Sequence, residues 1–170
     1  MPYSDPIVLA LLIVSLIGSL VYQWRRGLRG LRLTVVTFAM FYGLSVIVAL
    51  GMHCVDVLYG LTHRLESFRT GTTFVWGWHT YSLLLFGVLM VWLGVRCVLH
   101  AMGMGRGDAG ARSEFLRLAG ILLLIVLPIV WIQPLFGAAG SALSVIALVV
   151  VGLGGRGGGR PLPSVEREQR

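Results

Sequence analysis

Long runs of apolar residues recur along this chain and constrain its fold more than any other feature. The first run extends from Ile7 to Gln23, and its 17 residues would span about 25 Å as an α-helix, close to the lower limit for crossing a bilayer. Hydrophobic residues make up 56% of the chain and charged residues 12%, with a mean hydropathy of +0.85. These values lie outside the usual range for a soluble globular protein. The sequence therefore predicts an integral membrane protein.

The apolar runs predict an all-α, polytopic bundle of about five transmembrane helices, all within one membrane domain at residues 1–154. Pro128 and Pro134 can each kink or end the fourth helix, and residues 137–141 are typical of a turn. The last apolar run, 142–153, is short, so the fifth element is either a short span that includes part of that turn or a re-entrant segment covered by other helices. We place the spans at residues 7–23, 33–52, 74–100, 118–136 and 138–153.

Two other segments have a different character. Between residues 53 and 68, apolar residues follow the alternating steps of three and four that mark one face of a helix. We expect this segment to be an amphipathic helix that lies on the outer membrane surface or leans out of it. Residues 155–170 are rich in glycine and then in charge, which predicts a flexible cytoplasmic tail.

The arginines predict the orientation of the chain. Arginines of cytoplasmic loops outnumber those of outer loops in membrane proteins, and with the N-terminus outside, five spans leave only Arg64 and Arg69 on the outer side. The C-terminus then lies in the cytoplasm. The other twelve arginines fall on the inner side: Arg25, Arg26, Arg29, Arg32, Arg96, Arg106, Arg112, Arg117, Arg156, Arg160, Arg167 and Arg170.

All fourteen basic residues are arginine, which is typical of a GC-rich genome and favours a bacterial source. We therefore expect a multi-pass protein of the bacterial inner membrane.

The arginine cluster after the first span determines topology in this interpretation. Anionic lipid headgroups attract basic residues at the cytoplasmic surface, so we expect headgroup contacts from Arg25, Arg26 and Arg29. A nucleic-acid site would be expected to interleave aromatic or amide side chains with the basic ones. Only Trp24 is available here, and it fits an interfacial aromatic belt better. Nucleic acid is not an expected partner.

A second group of interest lies on the third span. Trp92, Arg96 and His100 are spaced by four residues and so share one face of a helix. Arg96 stacked on Trp92 would form a cation–π contact, and its long side chain could extend toward the headgroups. We expect Arg96 to contact the headgroup of an anionic lipid or of a quinone.

Histidines within or near the hydrocarbon need a partner or a ligand. His53 and His79 fall near the outer ends of the second and third spans, which follow each other in sequence. Two axial ligands for a haem or another pigment are therefore conceivable. A metal site at His53, Asp56 and His63 is a further possibility, but the wet face of the amphipathic helix explains these residues without a metal. We expect no metal and no bound cofactor, with the pigment site as the alternative.

No motif for catalysis is present in the sequence. Each of the seven acidic residues falls at an end, in a loop or in the tail, so a proton- or cation-coupled transporter is disfavoured. Serines occur in the spans, but no histidine or aspartate is paired with them in sequence to activate a nucleophile. Cys54 and Cys97 fall at opposite faces of the membrane, which predicts two free thiols. We expect no enzymatic activity.

Small residues four apart allow helix backbones to approach closely. Such pairs are Ser15 with Ser19, Ala39 with Gly43, Ala138 with Ala142 and Gly140 with Ser144, and they serve packing within the chain or against a partner. We expect a non-catalytic subunit or scaffold of a larger membrane complex, with other integral membrane proteins and anionic lipids as partners. The alternatives are a redox or pigment-binding anchor that uses His79 and His53, and a small channel or pore-forming protein.

Overall fold

The described residues of the chain form helices and connecting turns, without strands. The computed structural model describes residues 4–62, 78–128 and 134–154. The five helices are α1 (Ser4–Arg25), α2 (Gly30–Thr62), α3 (Trp78–Arg106), α4 (Ala111–Val126) and α5 (Pro134–Gly154). Four of them, α1, α2, α3 and α5, are long and apolar enough to cross a membrane. The predicted all-α fold is confirmed for these residues, and the four helices indicate a membrane protein.

The short helix is the fourth rather than the fifth. The predicted span 118–136 does not match α4, whose 16 residues end at Val126, and the predicted turn at 137–141 is part of the 21-residue helix α5. Pro134 starts α5 instead of breaking a helix. Residues in the first turn of a helix have no intrahelical acceptor for an N–H group, so the N–H that proline lacks is not needed there. The predicted last span, 138–153, lies within α5, which is long and apolar enough to cross a membrane.

Helix α2 is longer than its predicted span. It continues without a break for 33 residues, about 50 Å at 1.5 Å per residue, whereas its most apolar stretch covers only Gly30–Ala49. Residues 53–62 of the predicted amphipathic segment are therefore a continuation of α2 rather than a separate helix, and residues 63–68 lie outside the described part of the chain. The predicted tail, 155–170, also lies outside it.

Two helices end at an arginine-glycine pair with the same backbone motif. At the end of α1, the Gly27 N–H donates to the Trp24 carbonyl at 2.9 Å and the Leu28 N–H to the Gln23 carbonyl at 3.3 Å. Gly107 closes α3 in the same way. The φ angles of these glycines are 81° and 93°, in the left-handed region that glycine adopts without steric cost. Each turn redirects the chain into the next helix.

The helices pack antiparallel around α2, which contacts α1, α3 and α5. Arg32 of α2 donates to the Met104 carbonyl of α3 at 3.3 Å, and Gly154 at the end of α5 packs against Val35. These contacts place the end of α1, the start of α2, the end of α3, the start of α4 and the end of α5 together. We call this part of the bundle, formed by residues 25–32, 104–112 and 151–154, the arginine-rich end.

The core lies where α2, α3, α4 and α5 meet. The rings of Tyr42 and Phe115 pack edge to face, with centroids 6.0 Å apart, and small residues such as Ala119 and Ala147 are fully buried beside them. Helix α1 contacts α2 but is less buried, since only 11% of its most apolar stretch is buried, against 39% for α2 and for α3.

Candidate functional site

The arginine-rich end gathers most of the described arginines. Arg25, Arg26 and Arg29 are exposed there, and the guanidinium of Arg26 lies 5.3 Å from the centroid of the Tyr22 ring. The first turn of α2 holds no acidic residue, so the positive end of its helix dipole adds to their field. Headgroup contact by these three arginines stays a prediction, and their grouping at one exposed end is compatible with it.

Two arginines at the same end have structural partners. Arg112 of α4 donates from Nε to the Val151 carbonyl at 3.1 Å and from Nη2 to the Gly152 carbonyl at 2.7 Å. These carbonyls belong to the last turn of α5, where intrahelical donors run out. Arg32 similarly joins α2 to α3. From the sequence, both residues were interpreted only as part of the excess of arginine on the inner side. The structure shows that they also join neighbouring helices by hydrogen bonds.

The predicted contact of Arg96 with Trp92 is present. The guanidinium carbon of Arg96 lies 5.7 Å from the centroid of the Trp92 ring, and both side chains are exposed on α3. A cation–π contact is worth about 0.5 to 1 kcal/mol at an exposed site and about 2 kcal/mol or more when it is desolvated. His100 follows one turn later and is half-buried. The Trp92 ring and the Arg96 guanidinium thus form a compact patch on the outward face of α3.

The two predicted pigment ligands lie on different helices. His53 belongs to α2 and His79 to α3, but their side chains lie outside what the structure describes, as does that of Asp56. His63 falls in a part of the chain that is not described. The role of His53 and His79 as ligands stays a prediction.

Residues 4–62, 78–128 and 134–154 contain no cluster of side chains that could bind a metal ion. No three His, Cys, Asp or Glu side chains are grouped there in a way that could hold a metal ion. Both cysteines are free thiols, as the sequence predicts, with Cys97 buried and Cys54 half-buried. Burial raises the pKa of the Cys54 thiol above its ordinary value, which leaves less of the nucleophilic thiolate at neutral pH.

A buried hydrogen bond joins α2 to α5. The hydroxyls of Tyr42 and Ser144 are 2.9 Å apart, and Ser144 also donates to the Gly140 carbonyl at 2.8 Å. Because a serine hydroxyl has one proton, Tyr42 is the donor in this pair when Ser144 donates to Gly140. The pair was missed from the sequence, although a polar residue inside an apolar run is itself a signal of a buried partner.

A second buried polar side chain fixes the end of α1. Gln23 is fully buried, and its amide nitrogen contacts the Met40 sulfur at 3.4 Å. Its Oε1 atom has no hydrogen-bond donor among the described residues and faces Gly105, where an added β-carbon would lie 3.1 Å from it. Gln23 therefore fits between α2 and α3 at the point where α1 joins the bundle.

The small-residue pairs divide into internal and outward ones. Ala39 and Gly43 are buried, Gly43 lies against Gly94 and Val98 of α3, and Ser144 is buried against Tyr42 of α2. Ala138 and Ala142 are exposed on α5. The chain itself therefore uses only some of the faces that the sequence marks for close packing.

Comparison of the chain with protein-family models, with curated proteins and with solved structures gives no match.

Proposed function

We propose that the protein is a non-catalytic subunit or scaffold of a larger complex in the bacterial inner membrane, and that α1 is the helix by which it joins the complex. The observation that carries this proposal is the low burial of α1 within the bundle. Only 11% of its most apolar stretch is buried, and its buried residues, Ser19 and Gln23, both lie in its last two turns.

The shape of α1 supports a role in assembly. Exposed apolar side chains cover one broad side of its first three turns, where Leu9, Ile13 and Val14 are each at least half exposed. Helix association in a membrane depends on close packing, because lipid is as apolar as leucine. Val8, Leu12 and Ser15 are half-buried and lie in line with Ser19 and Gln23, so α1 contacts α2 along one side. The opposite side is left for a partner helix.

The remaining chemistry agrees with a non-catalytic role. At the arginine-rich end, Arg32 and Arg112 donate hydrogen bonds to neighbouring helices. The exposed arginines there form a basic surface. We include anionic lipids among the proposed partners, with Arg25, Arg26 and Arg29 as the contacting residues.

The test is purification of the tagged protein from native membranes in a mild detergent, followed by mass spectrometry of everything that remains bound in stoichiometric amount. Leu9→Trp and Val14→Trp should reduce the bound partners, because a larger ring prevents close packing on α1. Leu124→Trp, at a residue of α4 that is 70% exposed, is the matched control and should retain them. A protein that purifies alone from native membranes would contradict the proposal.

A further inference from the structure

A charged residue occupies the middle of an exposed apolar surface on α3. The most apolar stretch of this helix is Gly87–Arg106, and Arg96 lies at its centre. Arg96 is exposed, and so are the apolar side chains on the same outward face: Leu85, Val88, Leu89, Trp92, Val95 and Leu99.

The position of Arg96 along α3 places it deep in the apolar layer. It precedes Arg106, at the arginine-rich end, by ten residues, which is about 15 Å of helix. Half the thickness of a bilayer's hydrocarbon core is also about 15 Å. The backbone of Arg96 is therefore near the middle of the membrane when Arg106 lies at its surface.

The side chain is directed farther from that surface. Its guanidinium lies over the ring of Trp92, which is one helical turn nearer the start of α3, or about 5 to 6 Å farther from the arginine-rich end. This is the direction in which side chains lean on an α-helix. A guanidinium with this orientation extends away from the headgroups at the arginine-rich end rather than toward them.

The charge lacks a counterion within the described part of the chain. Among the described residues, Trp92 is the one partner of this guanidinium. The five N–H groups of a guanidinium point outward in its own plane. An aromatic ring on the face of the guanidinium therefore leaves these donors without an acceptor. Arginines inside membrane segments are rare, and they are paired or line a functional path.

We propose that Arg96 and Trp92 form the docking site for a transmembrane helix of another protein that carries an Asp or Glu at the level of Arg96. A carboxylate accepts two parallel hydrogen bonds from a guanidinium, and Arg and Trp are enriched among the residues that dominate binding at interfaces. The inference rests on the proposed function, because it names the chemistry by which a partner subunit is recognised.

Charge complementarity also excludes a second copy of this chain as the occupant. None of its seven acidic residues lies within the four apolar stretches, 6–25, 30–49, 87–106 and 137–154. Among the described residues, a neighbouring copy therefore offers no carboxylate at the depth of Arg96, and we assign the carboxylate to a different protein.

The test uses the full-length protein in vesicles of neutral phosphatidylcholine, with an acceptor dye on a C-terminal tag. The probe is a donor-labelled poly-leucine transmembrane peptide with one central Asp, compared with the same peptide carrying Asn. Energy transfer should show binding of the Asp peptide roughly tenfold tighter than the Asn peptide, the range expected for a strong interhelical polar contact. Arg96→Leu should remove this preference, and Arg96→Lys should retain part of it.

Arg117→Leu, at an exposed arginine of α4, is the control and should leave the preference unchanged. Equal binding of the two peptides by the wild-type protein would overturn the proposal. So would a preference that survives in Arg96→Leu, provided that circular dichroism shows the variant to be folded. If Arg96→Leu instead lowers only the retention of phosphatidylglycerol during purification, Arg96 is a headgroup residue and the proposal is wrong.

The outcome is separable from that of the proposed function. A protein that keeps its partners in native membranes but shows no preference for the Asp peptide would retain the subunit role and lose this docking site.

Discussion

Gly43 of α2 lies directly against Gly94 of α3. A β-carbon added at Gly43 would be 3.0 Å from the Gly94 carbonyl oxygen and 2.9 Å from the backbone nitrogen of Val98. Neither atom can move without shifting the helix, so the two glycines allow α2 and α3 to approach closely at the centre of the bundle. Ala39, one turn before Gly43 on α2, is fully buried.

Gly43→Ala should therefore destabilise the protein. Overpacking of a close helix contact typically costs about 1 to 3 kcal/mol, and here it opposes the small gain in helix propensity from alanine. The free energy of unfolding, measured by titration of mixed micelles with a denaturing detergent, provides the test. Gly18→Ala is the matched control, because an added β-carbon at Gly18 meets nothing within 4 Å. A Gly43→Ala protein as stable as the control would show that the helices do not pack as closely as described.

The bond between Tyr42 and Ser144 predicts an unequal pair of variants. Tyr42→Phe removes a donor but leaves Ser144 donating to Gly140, and polar contacts of this kind in membrane bundles average about 0.6 kcal/mol. Ser144→Ala instead leaves the buried phenol hydroxyl without its acceptor, a cost of about 1 to 3 kcal/mol.

Unfolding of the two single variants and of the double variant forms a double-mutant cycle for this pair. Ser144→Ala should be the more destabilising single change, and the double variant should lose less than the sum of the two. Equal costs that add without coupling would mean that the two hydroxyls do not bond in the membrane.

The double contact of Arg112 predicts that lysine cannot replace it. Lysine keeps the positive charge beside the last turn of α5, where it remains favourable to the helix dipole, but it lacks the planar fork that reaches two carbonyls at once. We expect Arg112→Lys to lower the free energy of unfolding by about 1 kcal/mol and to speed hydrogen exchange at the end of α5. Arg117→Lys, an exposed change on the same helix, should alter neither. If the two variants behave alike, charge alone would account for the role of Arg112.

Much of the architecture could be predicted from the sequence because it depends on local composition. Apolar runs reveal helices, and the four-residue spacing of Trp92 and Arg96 was enough to predict their contact. The end of the fourth helix and the start of the last one could not be predicted, since Gly137 to Ser141 favour a turn in water. Inside an apolar helix the same small residues pack well. The sequence also gives no signal for the contact between Tyr42 and Ser144. These residues are 102 positions apart and come together only because α2 packs against α5.

The grouping of helix ends predicts where reporters will be active. The arginine-rich end unites the turn after α1, the turn after α3 and the last turn of α5, because Arg32 bonds to Met104 and Arg112 to Gly152. Basic residues remain preferentially on the cytoplasmic side during insertion. Reporter proteins fused after Gly110 and after Arg170 should therefore both be active in the cytoplasm, and a fusion after Gly71, between α2 and α3, should be active only in the periplasm. Replacing Arg25, Arg26 and Arg29 with glutamine should weaken this preference. Periplasmic activity of the fusion after Arg170 would contradict both the arginine argument and the antiparallel position of α5.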